Sequence, residues 1–313
     1  MLTVFVKVLV IFSMVAIGFI ANKAGILPIE SNKYLVNLLL EITTPCMILG
    51  SMASNKLTPE TLHSTIEVAV GSLAFFMFAW AVGLLIVKLM RYEPKEDRGI
   101  MIVIITGINA GFMGFPVTKS IFGNKYLFLM VIVNCMLTFY LYFLSVLQMN
   151  YGHKKKESFK EILKPLFNMC MLASVLGLIV FGAGIVLPAP LLDFLNTIGD
   201  STIPISMFVV GIQLGNCELK KTIRNGKLLA ASVSNVLIIP AATWLAVNWL
   251  PITTDAKLTL VFAASFPCAV ATVAVATREG RNANLMAEGV ALTTLLSMVT
   301  LPLAALILMA VYL

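Results

Sequence analysis

Within ten residues, GINAGFMGFP (107–116), the chain sets Asn109, three glycines (Gly107, Gly111, Gly114) and Pro116 inside a long apolar run. Glycine weakens a helix through its conformational freedom, and proline through its missing N–H. A second apolar run, LVFAASFPCAVATVAVATREG (260–280), carries Pro267 near its middle and Thr272 five residues on. A half-helix that begins after such a break presents N–H groups and a positive dipole end, which suit an anion. The amide of Asn109 and the hydroxyl of Thr272 add side-chain hydrogen bonds. The chemistry on offer is binding without bond-breaking: recognition of a small anion by Asn109, Gly111, Gly114, Pro116, Pro267 and Thr272.

Glu41 and Asp200 offer a second chemistry. Both lie in apolar stretches, each four residues before a proline, in a shared acid-x-Thr-x-Pro pattern. An ionisable group in a spanning helix costs about 2.5–3.5 kcal/mol on insertion scales and is a functional candidate by default. A carboxyl group in poorly hydrated surroundings favours its neutral form and can take up a proton, so both acids are candidates for ion coupling. The alternative role for each is to cap a broken helix or to pair with a basic residue. Gln213 is a further candidate, for a cation, and interhelical hydrogen bonding is the default for Gln213, Asn134 and Asn235. Lys119, in FPVTKSIFG, either attracts an anion from outside or reaches to the membrane interface.

The elements that must position these residues follow from composition. Of 313 residues, 59% are hydrophobic and only 12% charged, with a mean hydropathy of +0.97. Soluble domains carry about 25% charged residues. Apolar runs long enough to cross about 30 Å of hydrocarbon recur throughout, and predict spans at 3–22, 33–53, 66–90, 100–122, 126–149, 166–188, 191–214, 228–249, 257–277 and 285–312. The first run lacks a small-residue cleavage site and is expected to be a retained span. The connectors after odd-numbered spans hold 17 of the 22 Lys and Arg, the even-numbered ones hold four, and Lys7 lies in the first span. That asymmetry places the odd connectors in the cytoplasm and both termini outside. The net charge of +7 therefore reflects orientation, and the HKKKE run is expected to bind no nucleic acid.

The chain repeats itself. GFIANKAGI (18–26) matches GLIVFGAGI (177–185), and NLLLEITTP (37–45) matches NTIGDSTIP (196–204), both at an offset of 159 residues. A unit of five spans, being odd, inverts its second copy. The expected fold is an all-α integral membrane protein of ten transmembrane helices in two inverted five-helix repeats, with broken crossing helices 4 and 9. The first repeat covers 1–150, a cytoplasmic basic connector 151–165, and the second repeat 166–313. Inverted repeats with interrupted helices are the plan of secondary transporters, whose sites form near the midplane.

NAGFMGFP resembles the N-x-x-x-M-G-x-P crossover of the auxin efflux carrier family, the PIN-like carriers of plants and their shorter bacterial relatives. FPCAVATVAVATREG is similar to the matching segment of the second repeat. The plant carriers have a further proline where Thr272 stands, and the long regulatory loop of many of them is absent here. The resemblance implies an elevator-type carrier in the plasma or inner membrane, with spans 1, 2, 6 and 7 as scaffold and homodimer contact. Spans 3 to 5 and 8 to 10 would form the moving domain. It further implies a small carboxylate such as malate or malonate, and no auxin substrate. An anion channel and a ligand-binding receptor share the same architecture and stay open at this point.

Enzymatic motifs do not appear. There is no HExxH, no GxSxG and no glycine-rich phosphate loop, and TIGD (197–200) lacks the first glycine of GxGD. The five cysteines are scattered without ligand spacing. No cofactor and no metal are expected.

Overall fold

The computed structural model describes residues 2–150, 168–217 and 219–313, so the basic connector expected at 151–165 lies outside the described residues. Among the described residues every regular element is helical. Eight helical runs are long and apolar enough to cross a membrane: Val6–Lys23, Ile29–Ala53, Pro59–Leu89, Lys95–Phe122, Asn124–Met149, Ala189–Asn216, Gly226–Asn248 and Ala283–Tyr312. The sixth expected span appears as the shorter apolar helix Met169–Gly182. The ninth appears as two helices, Thr254–Ala264 and Ala271–Arg278. Helices dominate because backbone groups in hydrocarbon must pair within their own segment. Outward-facing aliphatic residues such as Leu9, Ile20, Val70, Leu85, Ile179 and Ile307 are more than half exposed. In water that surface would be a liability, whereas lipid tails match it.

Proline leaves a regular mark on these helices. Three π-helical turns run directly into one: Leu39–Thr43 before Pro45, Ala110–Gly114 before Pro116, and Ser234–Ile238 before Pro240. Proline offers no N–H to the carbonyl four residues back. One extra residue in the preceding turn lets the helix continue with five-residue bonds, as in Thr44 N–H to Leu39 O and Ile239 N–H to Ser234 O. A fourth π-turn, Tyr140–Leu144, forms without a proline.

The helices gather into two compact units. The first comprises Met1–Ile66, Gly111–Cys135 and Phe167–Asn216. Here helix Leu2–Lys23 packs along Thr202–Asn216, and Thr44–Ala53 packs on Met169–Gly182 and Ala189–Asp200. Glycine sets the approach: a Cβ on Gly18 would lie 2.7 Å from the carbonyl oxygen of Phe208, and one on Gly199 would lie 2.7 Å from Cα of Met47. Small residues of this kind let membrane helices touch backbone to backbone. The ring of Phe128 packs on that of Phe181 at 4.7 Å.

The second unit comprises Glu67–Ala110, Met136–Leu166 and Cys217–Leu313. Its centre is helix Arg98–Thr106, buried from Gly99 to Thr106. That helix is surrounded by Ser145–Met149, Gly226–Val233 and Ala283–Tyr312. Gly99 lies against the backbone of Gln148 and Met149, and Gly289 lies against Ile104. Glu67 caps the start of Thr254–Ala264, accepting the N–H of Thr253 at 2.9 Å.

A Cβ at Gly182, the last residue of Met169–Gly182, meets nothing within 4 Å, so Gly182→Ala serves as an unstrained comparison for Gly18→Ala. Gly18→Ala is expected to unfold at the lower temperature in detergent, at a cost of about 1–3 kcal/mol from overpacking. Equal melting temperatures would contradict the close contact at Phe208.

Candidate functional site

Two interrupted helices meet inside the second unit. Helix Arg98–Thr106 stops at Thr106, and residues 107–109 run without helix before the π-turn opens at Ala110. Gly107 is extended, with φ −70° and ψ 142°. Helix Thr254–Ala264 stops in the same manner, and 265–270 is non-helical until Ala271. A Cβ on Gly107 would lie 2.9 Å from Cys268 Sγ and 3.7 Å from the backbone nitrogen of Ala269. The two breaks are therefore in contact, and the absence of a side chain at Gly107 permits it. Pro267 sits in the second break, where its missing N–H removes no helical bond.

A break inside a buried bundle strands carbonyls that must find donors. Asn235, fully buried, donates through Nδ2 to the carbonyl of Ile105 at 3.0 Å and to that of Gly107 at 2.9 Å. Gly107 N–H closes on Val103 O at 2.8 Å. Across the contact, Thr293 Oγ1 accepts the N–H of Cys268 at 3.2 Å, and Thr272 Oγ1 donates to Ala269 O at 2.6 Å. The hydroxyls just before the two breaks act alike: Thr106 donates to Ile102 O and Ser265 donates to Val261 O, both at 2.9 Å. Thr106 Oγ1 is also hydrogen-bonded to Tyr140, whose hydroxyl lies 3.2 Å from Gln148 Oε1. The ring of Phe76 stacks on Tyr140 at 4.6 Å.

The sequence-derived candidates fall into both units. Asn109, 3% exposed, lies in the first break, and Pro267 and Thr272 lie in and just after the second. Those three share the second unit with the contact at Gly107. Gly111, Gly114 and Pro116 belong to the first unit. The two glycines form part of the π-turn and Pro116 opens helix Phe115–Phe122. A Cβ on Gly111 would approach only Asn134 Oδ1, at 3.5 Å. In the same unit Asp200 forms an ion pair with Lys119; the lysine is 18% exposed and the aspartate 57%. Asp200 thus has a basic partner. Glu41 is exposed on the π-turn Leu39–Thr43, and Gln213 is half-buried on Thr202–Asn216.

Asn235 makes the interhelical hydrogen bonds expected of it, but no local pattern marks the carbonyls at the first break as its acceptors. Thr293, Tyr140 and Gln148 carry no signal in the sequence, and Cys268 reads there only as one of five scattered cysteines. A signal existed for one pair: Thr106 and Ser265 are hydroxyl residues 159 apart, at the repeat offset, each two or three residues ahead of the break-forming Pro267 or Asn109.

Comparison with known proteins agrees with this architecture. A family model described as a membrane transport protein matches residues 3–305. A protein of Methanocaldococcus jannaschii, named as an uncharacterized transporter, is 25% identical over 305 residues, covering 95% of this chain and 96% of its own.

Gly107→Ala is expected to destabilise the protein by about 1–3 kcal/mol through the clash with Cys268 Sγ and Val103 O. Adding Cys268→Ala should recover part of the loss, giving a coupling of about 0.5 kcal/mol or more in a double-mutant cycle of thermal unfolding. Strict additivity would show that the two breaks do not touch.

Proposed function

The chain belongs to the membrane transport protein family of the PIN-like auxin efflux carriers, a family of transporters and not of enzymes, and from that premise we propose that it is a secondary carrier for a small organic anion. The anion is a carboxylate of the size of malate or malonate. The observation that carries this is the contact between two helix breaks at Gly107 and Cys268. Irregular backbone at membrane depth is tolerated where it is buried in protein or lines a watery path. Paired breaks of this kind are where secondary transporters hold their substrates. Asn109 supplies a side-chain hydrogen bond from the first break, and Thr272, whose hydroxyl donates to Ala269 O in this structure, would have to release that bond to donate from the second. Pro267 keeps the second segment from closing into a helix, and Gly111, Gly114 and Pro116 shape the start of the half-helix that follows Asn109.

The carrier is built of ten spans in two inverted five-span repeats, 1–150 and 166–313, joined by the connector 151–165. Element boundaries support this beyond the sequence motifs, because they recur at the same offset of 159 residues. Helices end at Lys23 and at Gly182, and helices begin at Asn124 and at Ala283. The paired hydroxyls of Thr106 and Ser265 obey it as well. Inversion gives a carrier two equivalent conformations, one facing each side.

Movement is of the elevator type, with spans 1, 2, 6 and 7 as scaffold and homodimer contact, and spans 3 to 5 and 8 to 10 carrying the substrate. The protein sits in the cell's plasma or inner membrane with both termini outside. Transport is coupled to protons through Glu41 and Asp200, with Gln213 as the candidate for a cation.

Labelled malate uptake into proteoliposomes, with and without an imposed pH gradient, tests this directly. Saturable uptake that follows the gradient, and that Asn109→Ala abolishes without loss of folded protein, is the expected outcome. Uptake that never saturates and shows no counterflow would mark a channel, and binding without flux a receptor. Asp200→Asn and Glu41→Gln are expected to bind substrate while one or both lose proton dependence. Unchanged pH dependence in both would remove the coupling role.

A further inference from the structure

We propose that Asn235 is the positioning residue that holds the first break open and fixes it against the second. The assignment deepens the site proposed above and takes its meaning for transport from that site, but its geometry stands independently. In an unbroken α-helix each N–H bonds the carbonyl four residues back. Continuing Arg98–Thr106 as a helix would give Ile105 O to the N–H of Asn109 and Gly107 O to the N–H of Gly111. Asn235 Nδ2 bonds those same two carbonyls, at 3.0 and 2.9 Å. One side chain on another span thus stands in for two donors of the helical ladder, those of Asn109 and Gly111, where the helix is interrupted.

The residue type follows from the task. A primary amide carries two N–H donors on one nitrogen; serine and threonine carry one, and an ionised aspartate carries none. The amide cannot be turned over, because Oδ1 would then face two carbonyl oxygens. Its orientation leaves Oδ1 buried without a hydrogen-bond partner. A cost of that kind is retained when the donors opposite are needed. The local fold serves the same end. Asn235 lies in the π-turn Ser234–Ile238 ahead of Pro240, and the change in helical register there sets the direction in which the side chain projects. Thr293 does the complementary task at the second break, where it accepts the N–H of Cys268. Between them the two side chains pair a carbonyl-rich break and an N–H at the point where Gly107 meets Cys268.

The test reads the break itself. In purified protein, hydrogen exchange by mass spectrometry is followed in peptides covering 104–112, and modification of Cys268 by N-ethylmaleimide is followed in its own peptide. Asn235→Ala is expected to change exchange at 107–111 and to raise Cys268 modification by about fivefold or more each, while exchange in Leu2–Lys23 and Pro59–Leu89 stays as in the wild type. Ser232→Ala, another buried polar residue of the same span, should behave as wild type. Unchanged exchange and labelling in Asn235→Ala would overturn the proposal, and so would a change spread evenly over the chain, which marks general loosening. If Asn235→Ala does not yield folded protein, Asn235→Gln, which keeps both donors, is compared with Asn235→Asp, which keeps the shape and loses them. The glutamine variant is expected to stay near the wild-type pattern and the aspartate variant to depart from it; equal behaviour of the two would overturn the proposal. No substrate enters these measurements. A protein that moves no carboxylate leaves the role of Asn235 standing, and unchanged exchange removes that role while leaving the carrier function in place.

Discussion

A helix that stops in the middle of an apolar bundle leaves carbonyls pointing at nothing, and an unpaired buried polar group costs about 1–3 kcal/mol. In this protein the first break survives because Asn235 reaches across from another span and bonds the carbonyls of Ile105 and Gly107 together. Much else in the second unit follows from that. Gly107 can be extended and bare only while its carbonyl is satisfied, and its bareness is what lets Cys268 and Ala269 come into contact. Thr293 then completes the pairing from the opposite break. Below the contact, Thr106, Tyr140 and Gln148 form a second buried polar cluster that anchors the end of the interrupted helix.

Interruption is managed differently elsewhere. Where a proline falls inside a span but the chain must continue across the membrane, the helix widens by one residue and carries on, as before Pro45, Pro116 and Pro240. Pro302 does not interrupt Ala283–Tyr312 at all. Among the described residues, the longest departures from helix at mid-span are at 107–109 and 265–270. Proline is therefore a poor guide to the site by itself. At the first break an outside side chain, Asn235, supplies hydrogen bonds to the freed carbonyls.

Charge follows the same economy. Asp200 and Lys119 neutralise each other within the first unit, while Glu41, its counterpart in the repeated acid-x-Thr-x-Pro pattern, is exposed on its π-turn. Equivalent positions in the two halves thus have unequal electrostatic surroundings.

The sequence by itself determined the helical class, most of the spans and the two weak stretches, because hydropathy and helix-breaking residues act locally and need no partner to be read. The repeat offset was legible for the same reason: GFIANKAGI and GLIVFGAGI, and NLLLEITTP and NTIGDSTIP, are matched by counting along the chain. Membership of the transport family was legible in NAGFMGFP and is shown by the match over residues 3–305. What only the tertiary structure decided is which side chains satisfy the breaks. An asparagine in an apolar span has many possible acceptors, and nothing local distinguishes Asn235 from Asn134. The distances from Asn235 to Ile105 and Gly107 span about 130 residues of chain, and hydrogen bonds over such separations are set by packing, which no local pattern encodes.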